Sequence, residues 1–538
     1  MASQGAAARE IRLPPGPPLP PTLQTLGFVL GRFGFIELCR RRYGDAVTFE
    51  TLFDQRFVMI FEPALAKQLF RGPHEQLNAG EANEVLGPIL GRHSVLLLDG
   101  DEHLRHRRLL LPPFHGRRIA AHEQAVREEA DAEIDSWPLG EPFALLESMQ
   151  SLTLRVIARA VFGQRSHPAS AAVSGAGYAE HRRGSRDRTP AEILGGDPTG
   201  AAPERELHRR VRALIDPLGQ PGGLLSVFLL PQLGIDRFRR RFERRRQALD
   251  ELLYAEIKRR RADPSLQERD DIFSTLLLAR DERGESLSDR EVRDELLTLL
   301  LAGSETTATG LAWTLDLLLH DQRVLERARS GEPAYLDAVI KEALRLRPVI
   351  PGVGRVVRNA PFRLGEWVIP AGTEINPSIR IIHRRADLYP EPRRFRPERF
   401  LVGDPPDTYT WLPFGGGPRR CLGASFALME MRVALQRILE RTRLRPVSRR
   451  RERAAFRVIT LAPRRGVRVV LERRMPPPAA QAINCAPHAG AAWPPERRAM
   501  SAVLAQRERR RRLGPRTSRF GRGTGESRWA ASPTNSRG

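Results

Sequence analysis

Helical periodicity dominates this chain, and strand periodicity is confined to a few short runs. Apolar positions recur three and four residues apart over Ile119 to Trp137, Phe143 to Phe162, Glu204 to Asp216, Phe238 to Arg261, Ile272 to Arg280, Asp289 to His320, Tyr335 to Leu346 and Ala424 to Leu439, which predicts long helices. Shorter helices are expected over Leu23 to Tyr43, Ala64 to Arg71 and Asp101 to Leu111, the last stopped by Pro112 and Pro113. Ala46 to Phe49 and Phe57 to Phe61 read as two strands joined around Asp54 and Gln55. From Arg355 to Ser378 the period shifts again toward strands, broken at Pro361, Gly365, Pro370 and Gly372. Phe456 to Leu461 and Gly466 to Leu471 suggest a hairpin turning at Pro463, Arg464 and Arg465. The pattern predicts a mainly α fold with a small β subdomain.

Three stretches fall outside it. Residues 1–22 end in a proline-rich, stiff lead-in, and residues 164–203 form an irregular insertion or loop rich in Gly, Ala, Ser and Arg. Residues 475–538 are low in complexity and basic, and are expected to be disordered. That leaves residues 23–474 as one domain.

Charge changes the picture less than its size suggests. The net charge is +24, yet the only lysines are Lys67, Lys258 and Lys341, so the excess is arginine throughout and reads as a compositional bias. The segment from Met475 onward contributes 12 Arg against 3 Glu, and its run from Arg507 to Arg512 could bind polyanions without sequence preference. No DNA-binding motif accompanies it, so nucleic acid is not the expected partner. The most apolar run, Leu26 to Leu38, is short and interrupted by Arg32 and Gly34. With no signal-peptide pattern at the N-terminus, a soluble cytoplasmic protein is expected. Cys39, Cys421 and Cys485 are too sparse for a disulfide framework or a cysteine-rich metal site.

Chemistry concentrates near one of these cysteines. Phe414-Gly415-Gly416-Gly417-Pro418-Arg419-Arg420-Cys421-Leu422-Gly423 wraps a single thiol in glycine just before a helix. Glycines without Cβ atoms would let the backbone pass close to a flat, bulky partner, with Gly423 clearing space beyond the cysteine. The helix N-terminus should favour thiolate over thiol. A lone cysteine is otherwise a small buried hydrophobe, but the spacing F-x-x-G-x-R-x-C-x-G is restrictive, and an open thiolate suits a haem iron.

Other constellations are weaker singly. Ala302-Gly303-Ser304-Glu305-Thr306-Thr307 places small and polar residues in the middle of the longest helix, a costly choice unless they line a cavity. Thr306 or Thr307 can bond back to a carbonyl one turn earlier, and an acid beside a hydroxyl there suits proton transfer. Glu342 and Arg345 share a helix face, and Arg399 of Pro397-Glu398-Arg399-Phe400 could complete a buried carboxylate clamp. His103 and Arg107 lie one turn apart, and with Arg355 and Arg419 could receive carboxylates.

Taken in order, these motifs resemble the cytochrome P450 family, and especially its soluble bacterial members, over most of residues 10–474. The resemblance implies a helical prism enclosing haem b, with Cys421 as the proximal thiolate and metal ligand. It implies proton delivery by Glu305 and Thr306, propionate anchoring by His103, Arg107, Arg355 and Arg419, and further haem contacts from Ala302, Phe414 and Gly423. The activity implied is a monooxygenase that activates dioxygen and hydroxylates a hydrophobic small molecule. Residues 86–98, 224–230, 299–302, 349–353 and 460–461 are the expected pocket. No flavin fingerprint or ferredoxin-type cysteine set is present, so a ferredoxin or flavodoxin-type donor with its NAD(P)H reductase is expected, docking on Arg419, Arg420, Arg432 and Arg437. The alternatives are a peroxide-driven or isomerising haem-thiolate enzyme, which the Glu305–Thr306 pair argues against, and a polyanion binder acting through the tail. Compared with the family, 164–203 looks long, the link from His320 to Tyr335 looks short, and the tail has no counterpart.

Overall fold

The computed structural model of the protein describes residues 10–31, 33–52, 56–114, 116–163, 201–215, 217, 236–401 and 407–477. The expected turn at Asp54 and Gln55, pocket segment 224–230, nearly all of the irregular 164–203 stretch, and the tail beyond 477 lie outside these residues.

The helices that frame the site are, in chain order, α1 (Phe33–Tyr43), α2 (Pro63–Arg71), α3 (Ala79–Ala82), α4 (Gly100–Leu110), α5 (Glu123–Asp135), α6 (Leu145–Phe162), α7 (Ala201–Ile215) and α8 (Arg237–Arg261). They continue with α9 (Ile272–Leu278), α10 (Asp289–Leu319), α11 (Gln322–Ala328), α12 (Pro333–Leu346) and α13 (Ala424–Arg441). The strands are β1 (Ala46–Phe49), β2 (Phe57–Ile60), β3 (Leu77–Asn78), β4 (Pro142–Ala144), β5 (Arg355–Val357), β6 (Phe362–Leu364), β7 (Trp367–Ile369) and β8 (Glu374–Pro377). The last four are β9 (Thr442–Pro446), β10 (Ala454–Arg457), β11 (Thr460–Pro463) and β12 (Arg468–Arg474). The molecule is mainly helical with small sheets, as the periodicity predicts.

α10 is the axis of the helical layer. Ser288 and Glu291 close a capping box at its start, and the helix then runs 31 residues without interruption. Leu296, Leu297, Leu300, Ala308, Leu311 and Leu315 are buried along it, so most of its surface faces protein. α6 lies closely against it, and Gly303 permits this: a Cβ there would sit 2.9 Å from Ile157 Cγ1. The glycine's helix cost, about 1 kcal/mol, is offset by this close helix approach.

The β region forms around a five-stranded sheet ordered β1-β2-β8-β5-β3. β1 and β2 are antiparallel with Val47 opposite Met59, while β2 and β8 run parallel with Val58 opposite Ile375. Both faces of this pair are covered: Val47 and Phe49 are buried on one side with Met59, Val58 and Ile60 on the other with Ala46, so a one-residue slip would exchange the side chains of two packed clusters.

Three expectations are corrected here. The helix foreseen over Leu23 to Tyr43 is divided into Pro21–Leu26, a π turn over Gly27–Gly31, and α1, because Gly27 packs directly against the Phe35 ring. The helix foreseen over Ile119 to Trp137 breaks at His122 into Arg117–Ala121 and α5. The hairpin foreseen between Phe456–Leu461 and Gly466–Leu471 is re-paired. β10 folds onto β11 with Phe456 opposite Leu461, while β12 pairs with β9 and β4. The turn therefore sits at Val458 and Ile459, and Val458 takes a φ of 56°, which a β-branched residue rarely adopts. The short link after His320 accommodates α11, capped by Asp321 accepting from the Val324 N–H.

Candidate active site

The cysteine loop is built by local backbone bonds. The Cys421 N–H donates to the Phe414 carbonyl at 2.9 Å, Gly415 N–H to Leu412, and Arg420 N–H to Gly417, closing a tight loop just before α13. Gly415 and Gly417 have φ values of 69° and 65°, a left-handed conformation that needs glycine. The glycines serve two different neighbours. A Cβ on Gly417 would lie 2.0 Å from the Phe70 carbonyl oxygen, and one on Gly416 would meet the Phe70 ring, so these two seat the loop on α2. Gly415 and Gly423 face open space, and only they fit the expectation of clearance for a flat partner.

Cys421 is exposed, yet burial pushes its thiol above the usual range. Both hold if the sulfur looks onto an enclosed hollow rather than bulk solvent. The Gly423 N–H, Arg107 and Arg420 pull in the opposite direction. The helix-terminus expectation of a ready thiolate is thus corrected: desolvation outweighs the nearby positive groups. A metal cation at the sulfur would supply the missing counter-charge and deprotonate it.

The four residues expected to take carboxylates gather together on three separate segments. His103 is buried on α4 and pushed down to about 3 by burial, then by Arg419, Arg107 and Arg355. Arg355 falls to about 9 through burial and then Arg419. Arg419 falls to about 10, mainly through burial, with Asp99 opposing the fall and Arg107 adding to it. Arg107 also senses Cys421, which joins this cradle to the cysteine loop. Among the described residues neither Arg107 nor Arg355 forms an ion pair. Arg419 pairs with Asp99 and donates to the carbonyls of Val95 and Leu98. Guanidinium groups that depress one another beside a neutral histidine make a cradle short of anions, a fit for the two propionates of haem b.

Asp99 itself went unnoticed in the sequence. It accepts from the N–H groups of Ala79, Gly80 and Glu81, so it caps α3 while holding Arg419. Its place before Gly100-Asp101-Glu102, where an N-cap is expected for α4, was the available signal.

On α10 the polar run lines an opening. Ala302 is exposed although Leu300 and Ala308 on either side are fully buried. Thr306 Oγ1 donates to the Ala302 carbonyl at 2.6 Å, the back-bond foreseen from sequence. Glu305 accepts from Gln150 Nε2 at 2.5 Å, and its other oxygen lies 3.9 Å from Arg457 Nε. α4 is bolted to the front of α10 by His106, which bonds Glu295 at 2.8 Å and Glu291 at 3.1 Å.

Beneath the cysteine loop lies the foreseen clamp. Glu342 and Arg345 have no exposed side-chain surface, and Arg345 donates to both Glu342 oxygens at 2.6 and 2.8 Å. Arg399 joins at 3.1 Å. Arg345 also donates to the His383 carbonyl, and His383 Nε2 accepts from the Leu412 N–H at 2.7 Å. His383 thereby ties the clamp to the loop that carries Cys421. It was missed because nothing in His383-Arg384-Arg385 marks it as buried. Phe414 packs edge-on against Trp411 at 6.0 Å between ring centroids, beside that loop.

The foreseen docking arginines do not form a free basic surface. Arg419 turns inward, Arg437 is buried against Asp131 and Glu440, and Arg432 pairs with Glu123 and Asp337. Among the described residues no helix is long and apolar enough to cross a membrane, and no cluster of three or more His, Cys, Asp or Glu could hold a metal.

A family model described as cytochrome P450 matches residues 14–467. The chain is 38% identical over 467 residues to cytochrome P450 135B1 of Mycobacterium tuberculosis (strain ATCC 25618 / H37Rv), spanning 85% of this chain and 91% of that one. It is 39% identical over 433 residues to cytochrome P450 137 of the same strain, spanning 80% and 83%. Among solved structures, retinoic acid-bound cyanobacterial CYP120A1 shares the fold with a TM-score of 0.69 at 24% identity, over 86% of this chain and 100% of that one. A 6-coordinated cytochrome P450 from Thermus thermophilus superposes with a TM-score of 0.58 at 27% identity, over 80% and 96%.

Proposed function

Since the chain belongs to the cytochrome P450 family, haem-thiolate monooxygenases that bind haem b, we propose that Cys421 is its axial ligand and that it hydroxylates a hydrophobic small molecule with electrons from a separate protein donor. The observation that carries this reading is the convergence of an exposed Cys421, with open space at Gly415 and Gly423 beside it, and the anion-poor cradle of His103, Arg107, Arg355 and Arg419.

When bound, the haem would supply the electron transfer and oxygen activation. The protein's own residues do the rest. Arg107, Arg355 and Arg419 would hold the propionates by charge-assisted hydrogen bonds, and neutral His103 would donate one further hydrogen bond. Gly415 and Gly423 leave room beside the ring, and Phe414 shields the sulfur. Clamping by Glu342, Arg345 and Arg399, tied through His383 to Leu412, fixes the backbone that leads into the cysteine loop.

Thr306 holds its hydroxyl at the exposed turn of α10, and Glu305 places its carboxyl group one residue earlier, accepting from Gln150. Gln150 and Arg457 fix the orientation of the Glu305 carboxyl group, one at each oxygen. Substrate would lie against the partly exposed side of Leu299 and Ala302, with the apolar side chains of 86–98 and 349–353 around it, which favours an apolar ligand. A ferredoxin or flavodoxin-type donor with an NAD(P)H reductase would supply electrons.

Glu305→Gln and Thr306→Ala test the assignment. Both should bind substrate and haem normally, yet lower product formed per NAD(P)H on the order of 10²-fold, with the electrons lost to hydrogen peroxide or water. Unchanged coupling in both variants would remove proton delivery from these residues.

A further inference from the structure

A cavity of about 330 Å³ opens between α1, the end of α12, the four-residue helix Ile379–Ile382 and the β10–β11 hairpin. No residue of the cysteine loop, the propionate cradle or the exposed turn of α10 lines it. Four guanidinium groups do: Arg347, Arg380, Arg451 and Arg453. Apolar surface comes from Phe33, Phe456 and Leu461, the two phenylalanine rings stacking at 6.1 Å with an interplanar angle of 21°.

The charges are unbalanced. Among the described residues none of the four arginines forms an ion pair, although buried arginines elsewhere do: Arg260 with Asp271, Arg345 with Glu342, Arg441 with Asp131 and Asp135. Arg380 lies 4.4 Å over the Phe33 ring, and its Nη1 is buried without a hydrogen-bond partner. Arg347 lies 4.6 Å over Trp313. The carboxylate on the wall, Glu452, accepts from the Arg453 N–H, and Asp316 behind it is engaged by the Glu452 N–H and by His320. Arg384 adds another positive charge nearby; it and Arg380 are pushed down to about 9 and 10 mainly by burial, so both stay charged at neutral pH. Arg347, Arg380 and Arg451 are half-buried and Arg453 is exposed, so the desolvated group that lacks a partner is Arg380 Nη1, and an anion in the cavity would supply one.

We propose that this cavity binds a small amphipathic carboxylic acid, its carboxylate held by Arg380, Arg347 and Arg451 and its apolar part lying against Phe33, Phe456 and Leu461. Planar guanidinium groups match a carboxylate bidentately, and cation–π stacking on Phe33 and Trp313 pre-orients two of them. The apolar wall selects against a fully hydrated anion such as inorganic phosphate. The volume is at the small end of ligand sites, which suits one short acid rather than a phospholipid.

The test is isothermal titration of the full-length, haem-loaded protein, with imidazole saturating the iron so that the main pocket is blocked. Sodium octanoate, 1-octanol and inorganic phosphate are the probes. Octanoate should bind at one saturable site, at least tenfold more tightly than the other two, and Arg380→Gln and Arg451→Gln should each weaken it at least tenfold while leaving the Soret band unchanged. Arg451 sits on a surface loop, so it decides the matter if Arg380→Gln fails to fold. Absence of octanoate binding, equal binding of octanol or phosphate, or wild-type affinity in the variants would overturn the proposal.

Discussion

Glu342 accepts four hydrogen bonds, from Arg345 Nε and Nη2, Arg399 Nε and the Arg396 N–H, and has no exposed surface. Glu342→Gln would leave two guanidinium groups buried with their charge uncompensated. A loss of about 3–5 kcal/mol is expected in urea unfolding. A loss under about 1 kcal/mol would mean that water replaces the carboxylate and the clamp is not structural. The pair was legible because three-residue spacing on a helix places both groups on one face. Its third member, Arg399, needed the motif order as well. His383 was not legible, since its importance comes only from a contact across 29 residues to Leu412. Local chemistry is written in spacing; long-range partners are not.

At the scale of elements, the seating of the cysteine loop on α2 decides where Cys421 points. Gly417→Ala combines a strained left-handed φ with a Cβ 2.0 Å from the Phe70 carbonyl oxygen, an atom that cannot rotate away. The loop must shift, so haem incorporation should fall at least severalfold on purification, whereas Gly415→Ala, with open space around it, should retain more. Equal haem content in the two variants would contradict this seating. The sequence marked the loop as glycine-dependent but assigned all its glycines to the cofactor; the α2 contact could not be seen without tertiary structure. The re-paired β10–β11 hairpin failed for a related reason. Pro463, Arg464, Arg465 and Gly466 carry the usual turn signals, whereas the actual turn uses Val458 in a conformation its side chain disfavours. Tertiary pairing of β12 with β9 and β4 overrode the local preference.

For the whole molecule, buried histidines make stability depend on pH. His383 is buried and pushed down to about 3 by burial and then by Arg345, so the unfolded chain binds a proton there that the folded chain excludes. Its contribution is complete above the ordinary histidine value near 6.5 and is lost as pH falls through the window between about 6.5 and 3. Wild type should therefore lose about 1.4 kcal/mol per pH unit more than His383→Gln between about pH 6 and 4, in paired denaturation curves. Parallel slopes would show that His383 titrates normally. His106 works in the opposite sense: its carboxylate partners raise it above its ordinary value, so its contribution is lost as pH rises. At this scale the mainly α plan and the place of α10 as the longest helix were readable from hydrophobic period alone. The propionate cradle was readable only as a set of candidate arginines, because the residues that meet there are separated by more than 300 positions.

The account rests above all on Cys421 as a thiolate ligand to haem iron. The absorption difference spectrum of the dithionite-reduced protein with and without carbon monoxide tests it most directly, with Cys421→Ser measured beside it. A Soret band shifted well to the red in the wild type and absent in the variant is the predicted result. Contradiction would come from a wild-type band at the position of histidine- or thiol-ligated haem, or from a red-shifted band that survives in Cys421→Ser.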